Sequence, residues 1–155
     1  MTVAVDTNIL FDILLPDLQN VKQSLHQLNL LGKRHRLIVS ETVYAELASQ
    51  FTDEESLNEF LSNTDIYLVN SDPEALWHAA RAWKNYTQNR SSEFQCPKCG
   101  NRQELNCSDC SNAIVSWQHI ISDFLIGGHA LTHASSLLTR DRGYYNKFFP
   151  ELSLA

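Results

Sequence analysis

Four short apolar runs in this chain alternate with stretches whose apolar residues recur at helical spacing. The runs are Thr2 to Val5, Leu37 to Val39, Ile66 to Val69 and Leu137 to Thr139. Each is too short for a buried helix and is rich in the β-branched and aliphatic residues that favour strands. Between them, Asp17 to Leu31 carries leucines at 18, 25, 28 and 31, and Gly32 fits a helix stop. Ser40 is placed to cap a helix beginning at Glu41, with Val43, Tyr44 and Leu47 on one face. Asp53 to Leu61 predicts a further helix. Asp72-Pro73 opens one that runs to Asn89, with proline at its first helical position. Asp123 to Ser136 predicts an apolar helix, and Asp141 begins a turn into a short last one. Strands alternating with helices predict an α/β fold, a mostly parallel sheet flanked by helices. In such sheets ligands bind beyond the C-terminal ends of the strands.

The 155 residues suit one domain spanning 1–155, and 43% hydrophobic content supplies a core. No apolar run is long enough to cross a bilayer, so no membrane association is expected. MTVAVDTN has neither the basic start nor the apolar stretch of a signal peptide, which predicts a cytoplasmic protein. The net charge of −6 argues against unspecific attraction to nucleic acid. A carboxylate cluster that holds cations would contribute to that sum without repelling a polyanion.

Four acids stand where the sheet would open its cleft. Asp6 follows the first strand, Glu46 lies in the helix after the second, Asp123 opens the apolar helix, and Asp141 follows the last strand. Taken singly each has a plain structural explanation: a turn former, a solvated helix residue, a helix-start charge, a partner for Arg140 or Arg142. Taken together they would repel one another unless cations lay between them. Oxygen ligands suit hard cations such as Mg²⁺, and paired ions suit phosphodiester hydrolysis.

The stretches VAVDTNIL at 3–10, IVSETVYAEL at 38–47, SDFLIGGHAL at 122–131 and LLTRDRGYY at 137–145 carry these acids. Together, and in this order, they resemble the four acidic motifs of PIN-domain ribonucleases, and most closely the VapC-type toxins of prokaryotic toxin–antitoxin pairs. The resemblance implies an endoribonuclease dependent on Mg²⁺ or Mn²⁺, with Asp6, Glu46, Asp123 and Asp141 as catalytic metal-binding acids and Thr7, Asn8 and Thr139 as supporting polar residues. It implies in-line attack by an activated water on RNA, an antitoxin partner and a homodimer. One departure is Gly127-Gly128, where the family is alanine-rich. A different class, a non-catalytic RNA-binding module, has no need of four clustered carboxylates. A phosphatase of the haloacid-dehalogenase type would begin with Asp-x-Asp, whereas Asn8 stands at the second position here.

A second departure is an insert. All four cysteines fall in a polar stretch, which predicts a metal-binding insert over residues 93–112. Cys96, Cys99, Cys107 and Cys110 form two C-x-x-C pairs. In the cytosol such pairs suit a tetrahedral Zn²⁺ site that replaces the core a short polar insert lacks. Lys98 and Arg102 place positive charge beside it, a possible RNA contact. His129 and His133 share a helix face, turned away from that of Asp123. The basic run Lys33 to Arg36 fits a solvated turn or a phosphate contact, and Trp77, Trp83 and Tyr86 fit core packing better than base stacking.

Overall fold

The computed structural model of the protein describes residues 1–15, 20–89, 93–95, 99, 101–114 and 120–155. Its elements, in chain order, are β1 (Thr2–Val5), α1 (Thr7–Leu14), α2 (Val21–Gly32), β2 (Arg36–Val39), α3 (Glu41–Ala48), α4 (Glu54–Asn63), β3 (Ile66–Leu68), α5 (Pro73–Asn89), β4 (Glu93–Gln95), β5 (Arg102–Asn106), β6 (Ala113–Ile114), α6 (Ile121–His133), β7 (Ser136–Leu138) and α7 (Arg142–Phe148). The central sheet has the order β3-β2-β1-β7, and every neighbouring pair is parallel. The parallel sheet flanked by helices is the architecture the alternating pattern predicts. Strands β1, β2 and β7 are buried almost throughout, with Val3, Ala4, Val5, Leu37, Ile38, Val39, Leu137 and Leu138 each 2% exposed or less, whereas the edge strand β3 buries Ile66 and exposes Tyr67 and Leu68. Burial on both faces explains why β1, β2 and β7 read as continuous apolar runs instead of alternating ones.

Helix starts follow local chemistry. The Ser40 hydroxyl accepts from the Val43 N–H, and the Asp53 carboxylate accepts from the Ser56 N–H. Asp141 caps α7 by accepting from the Tyr144 N–H at 3.1 Å. The sequence reading missed α1, which begins one residue after Asp6. At eight residues TNILFDIL spans barely two turns, too short for the helical period to stand out, and its polar Thr7 and Asp12 are buried like Ile9 and Leu10. The start expected for α2, Asp17 and Leu18, lies outside the described residues; α2 as described begins at Val21.

Helix α5 packs against α6 at unusually short range. A Cβ on Gly128 would sit 2.4 Å from the Ala75 carbonyl oxygen and 2.8 Å from the Ala79 nitrogen. Glycine is therefore what lets the two backbones approach. At the other end of the pair Phe124 receives the edges of Trp83 and Tyr144, with ring centroids 5.1 and 5.3 Å away. Trp83 and Tyr86 thus belong to the core, whereas Trp77 is 66% exposed. Between α5 and α6 the chain leaves the central sheet to form a separate antiparallel sheet, β4-β5-β6. Among the described residues no helix is long and apolar enough to cross a membrane.

Candidate active site

Register places the site. Val5 pairs with Leu138, so Asp6 and Thr139 leave the sheet side by side, and the Asp6 N–H donates to the Leu138 carbonyl at 3.0 Å. Ala4 pairs with Ile38 on the other side, which brings Ser40 and the start of α3 alongside. The C-terminal strand ends thus converge on one open cavity of about 420 Å³. It is lined by Asp6, Glu46, Asp123 and Asp141, together with Thr7, Asn8, Phe11, Ser49, Gln50 and Tyr145. The structure therefore brings all four sequence-picked acids to one cavity. Thr7 and Asn8 line it as well, and Thr139 stands behind Asp6.

Asp6 is 5% exposed and is the hub. Thr139 Oγ1 donates to its Oδ2 at 2.6 Å, and Asn8 Nδ2 donates to the same oxygen at 2.7 Å. Asn8 Nδ2 also lies 3.1 Å from Thr139 Oγ1, which accepts in turn from the Asp141 N–H at 3.0 Å. The Arg140 N–H donates to Asn8 Oδ1 at 3.2 Å. One network therefore ties α1 to the β7–α7 turn and fixes the carboxylates at both ends. Glu46 is pinned separately by a short hydrogen bond from the Thr7 hydroxyl. Asp123 reaches back towards the Ile120 N–H at 3.4 Å.

Burial pushes the Asp6 carboxyl up from 3.8 to about 6; the Thr139 hydrogen bond opposes this, and the Asp123 and Glu46 charges add to it. Charge repulsion in a buried oxygen-rich site is what a hard cation relieves, so the donor set fits Mg²⁺ or Mn²⁺. Among the described residues no group of three or more His, Cys, Asp or Glu side chains is drawn together as a finished metal cage. An ion that keeps most of its waters and takes one or two carboxylates does not require one.

Four lining residues, Phe11, Ser49, Gln50 and Tyr145, escaped the sequence reading, as did Asp12, which does not line the cavity. Tyr145 is 1% exposed, and its hydroxyl hydrogen-bonds Asp6; burial first, then the nearby carboxylates, hold its phenol protonated. Its spacing of four from Asp141 on a short helix was the available signal. Asp12, one helical turn past Asn8, is 3% exposed and pairs with Arg140 at 2.9 Å while accepting from Ser24. Arg140 is thereby turned to Asp12 and Arg142 to the carbonyls of Ala155 and Leu154, so the pairing considered for them with Asp141 is not what the structure uses. Lys33 to Arg36 lies at the opposite end of the sheet, since Arg36 pairs with Thr2.

In the insert, Cys99, Cys107 and Cys110 are free thiols, whereas Cys96 and Lys98 lie outside the described residues, as does the Arg102 side chain. The backbone N–H groups of Cys110 and Asp109 point at the Cys107 sulfur and hold its pKa below the usual thiol range. His129 is 1% exposed, and its Nδ1 lies 3.3 Å from Ser71 Oγ, which donates to Glu41. It stands beside His133, apart from the acidic cavity.

The fold and sequence have known counterparts. A chain in the crystal structure of VapBC2 from Rickettsia felis bound to a DNA fragment from their promoter superposes with a TM-score of 0.62, at 18% identity, over 100% of this chain and 98% of that one. No curated protein matches the sequence. Residues 3–148 match the PIN domain family, from the first strand to the last helix and through all four acids of the cavity. The chain belongs to the PIN domain family.

Proposed function

We propose that this protein is a divalent-metal-dependent endoribonuclease, the toxin of a toxin–antitoxin pair, acting in the cytoplasm. The observation that carries the reading is the convergence of Asp6, Glu46, Asp123 and Asp141 on one open cavity, with Asp6 buried against two like charges. Family membership supports it, since PIN domains are typically nucleases that use divalent metals such as Mg²⁺ or Mn²⁺. A structural neighbour from a VapBC complex supports an antitoxin partner.

In this reading the four carboxylates hold the ions and the cavity admits an RNA backbone. When bound, the metal supplies positive charge that activates a water and stabilises the departing oxygen of the phosphodiester. Thr139 and Asn8 keep Asp6 oriented through its Oδ2, and Thr7 keeps Glu46 from swinging away. The Asp141 carboxylate is held by its cap on α7. No side chain need form a covalent intermediate. Residues 1–155 act as one domain, paired in a homodimer. The insert at 93–112 forms a structural Zn²⁺ clip from Cys96, Cys99, Cys107 and Cys110. The amides aimed at Cys107 support a thiolate there, the form that ligates metal.

The test is cleavage of a panel of single-stranded and structured RNAs by wild type and Asp6→Asn, with Mg²⁺, Mn²⁺ or EDTA, with zinc content assayed on the same preparations. Cutting that requires the metal and disappears in Asp6→Asn is the expected result. RNA bound equally by both proteins and cut by neither would favour a non-catalytic RNA-binding module.

A further inference from the structure

The cavity has a second wall that the chemistry of cleavage does not use. Phe11, Ser49 and Gln50 line it beside the acids. Their placement follows from helix geometry. Phe11 lies four residues after Thr7 on α1; Ser49 and Gln50 lie three and four after Glu46, at the end of α3. The hydrogen bond from Thr7 to Glu46 joins the two helices at the acidic level, so the next turn of each builds the adjoining wall.

That wall has two kinds of chemistry. Phe11 is half-buried against the core and lines the cavity, which makes it a rigid apolar surface. Gln50 is exposed at the cavity, and its amide has a hydrogen-bonded neighbour. Gln50 Nε2 donates to Ser49 Oγ at 2.9 Å, and Ser49 Oγ donates to the Glu46 carbonyl at 2.7 Å. This relay leaves the second amide hydrogen and the carbonyl oxygen of Gln50 as an oriented donor–acceptor pair. An aromatic surface beside an oriented amide is the chemistry that reads an unstacked base in single-stranded RNA.

We propose that Phe11, Ser49 and Gln50 form a subsite for one unpaired nucleobase flanking the scissile phosphate, and that this subsite sets the sequence preference of cleavage. The inference rests on the ribonuclease reading above. With the phosphate at the acids, the neighbouring base enters the wall, packs on Phe11 and exchanges hydrogen bonds with the Gln50 amide. Ser49 is a positioning residue: it fixes which edge of the amide the base meets.

The experiment maps cut sites by sequencing on single-stranded RNA with randomised positions, with Mn²⁺, for wild type, Phe11→Leu and Gln50→Leu. The best oligonucleotide is then compared with a copy that is abasic at the selected position. The wild type is expected to select at one position beside the cut. Gln50→Leu is expected to flatten that selection and to lower kcat/KM on the intact oligonucleotide by roughly tenfold. On the abasic copy the variant and the wild type should converge, because there is no base left to lose. Phe11→Leu should weaken cutting of the intact oligonucleotide more than of the abasic one. A Gln50→Leu protein that keeps the wild-type selection, or loses the same factor with and without the base, overturns the subsite. So does a wild type that cuts without preference. A wild type that cuts nothing in the pool overturns the ribonuclease reading itself.

Discussion

Thr139 shows how much one hydroxyl can organise. It donates to Asp6, accepts from the Asp141 N–H and lies beside Asn8, so two of the four acids depend on it. Thr139→Val keeps the shape and removes these bonds. It should lower Mn²⁺ affinity or cleavage by about 10–100-fold, the usual scale for groups that orient metal ligands. Titration of Mn²⁺ against cleavage rate, with the melting temperature as control, measures the effect. Arg140 plays a different part. Its removal would leave Asp12 buried with only Ser24 as a partner. Breaking a fully buried pair costs about 3–5 kcal/mol. Arg140 is 44% exposed at its side chain, so water screens part of the pair, and about 2 kcal/mol is expected for Arg140→Ala. Denaturant unfolding checks the figure, and Asp12→Asn together with Arg140→Ala should recover part of it, since the buried charge is then gone.

At the scale of elements, the α5–α6 contact governs how tightly one flank of the sheet is covered. Gly127 and Gly128 are adjacent but meet different neighbours. A Cβ on Gly127 would meet the ring of Phe149, 2.3 Å away at its nearest carbon; that ring is buried against Phe124 and Tyr145, so it yields only by shifting side chains around it. A Cβ on Gly128 would meet the backbone of α5, which cannot move without shifting the helix. Gly128→Ala should therefore cost about 3 kcal/mol, at the upper end of overpacking, and Gly127→Ala clearly less despite the same gain in helix propensity. Thermal unfolding of the two variants gives the comparison, and equal losses would contradict the close approach. The sequence shows these glycines only as a weak place in an apolar helix. Their reason lies in Ala75 and Ala79, some fifty residues earlier, where no local pattern points to them.

Over the whole molecule, two buried groups oppose each other in their response to pH. Asp6 binds its proton more tightly in the folded state, with a pKa of about 6 against 3.8, so in the metal-free protein its share of stability falls as pH rises from 4 to 6. The shift corresponds to about 3 kcal/mol. His129 is the reverse. Burial, then His133, hold its pKa near 4 against 6.5, so its share is complete above 6.5 and is lost as pH falls towards 4. The windows overlap, and the two slopes partly cancel in the wild type. Asp6→Asn removes only the falling slope, so its stability should rise more steeply with pH between 4 and 6 than that of the wild type. Parallel curves from urea unfolding across that range would contradict the burial assigned to Asp6.

The layout of the fold was legible because β1, β2 and β7 are buried on both faces and three helix starts carry their own chemistry, at Ser40, Asp53 and Asp141. Asp6 and Asp141 were legible because each follows a strand, and Glu46 and Asp123 because the four acid-bearing stretches, taken in order, resemble the motifs of the family. Asp12, Phe11 and Tyr145 were not. Asp12 and Phe11 lie on a two-turn helix too short to show its period, and the Arg140 that pairs with Asp12 and the Asp6 that bonds Tyr145 come from distant parts of the chain.

The position of the insert has a consequence for how such a protein can change. The chain departs after α5 and returns before α6, a helix pair already locked together by Gly128 and by the rings around Phe124. Among the described residues the β4-β5-β6 sheet pairs its strands only with one another. The pairing of the central sheet therefore does not depend on the strands of the insert. Asp123 stands in the first turn of the helix that receives the returning chain. Along the chain, a change in the insert thus meets the site first at the helix turn that carries Asp123, while the strand ends that carry Asp6 and Thr139 belong to a different sheet.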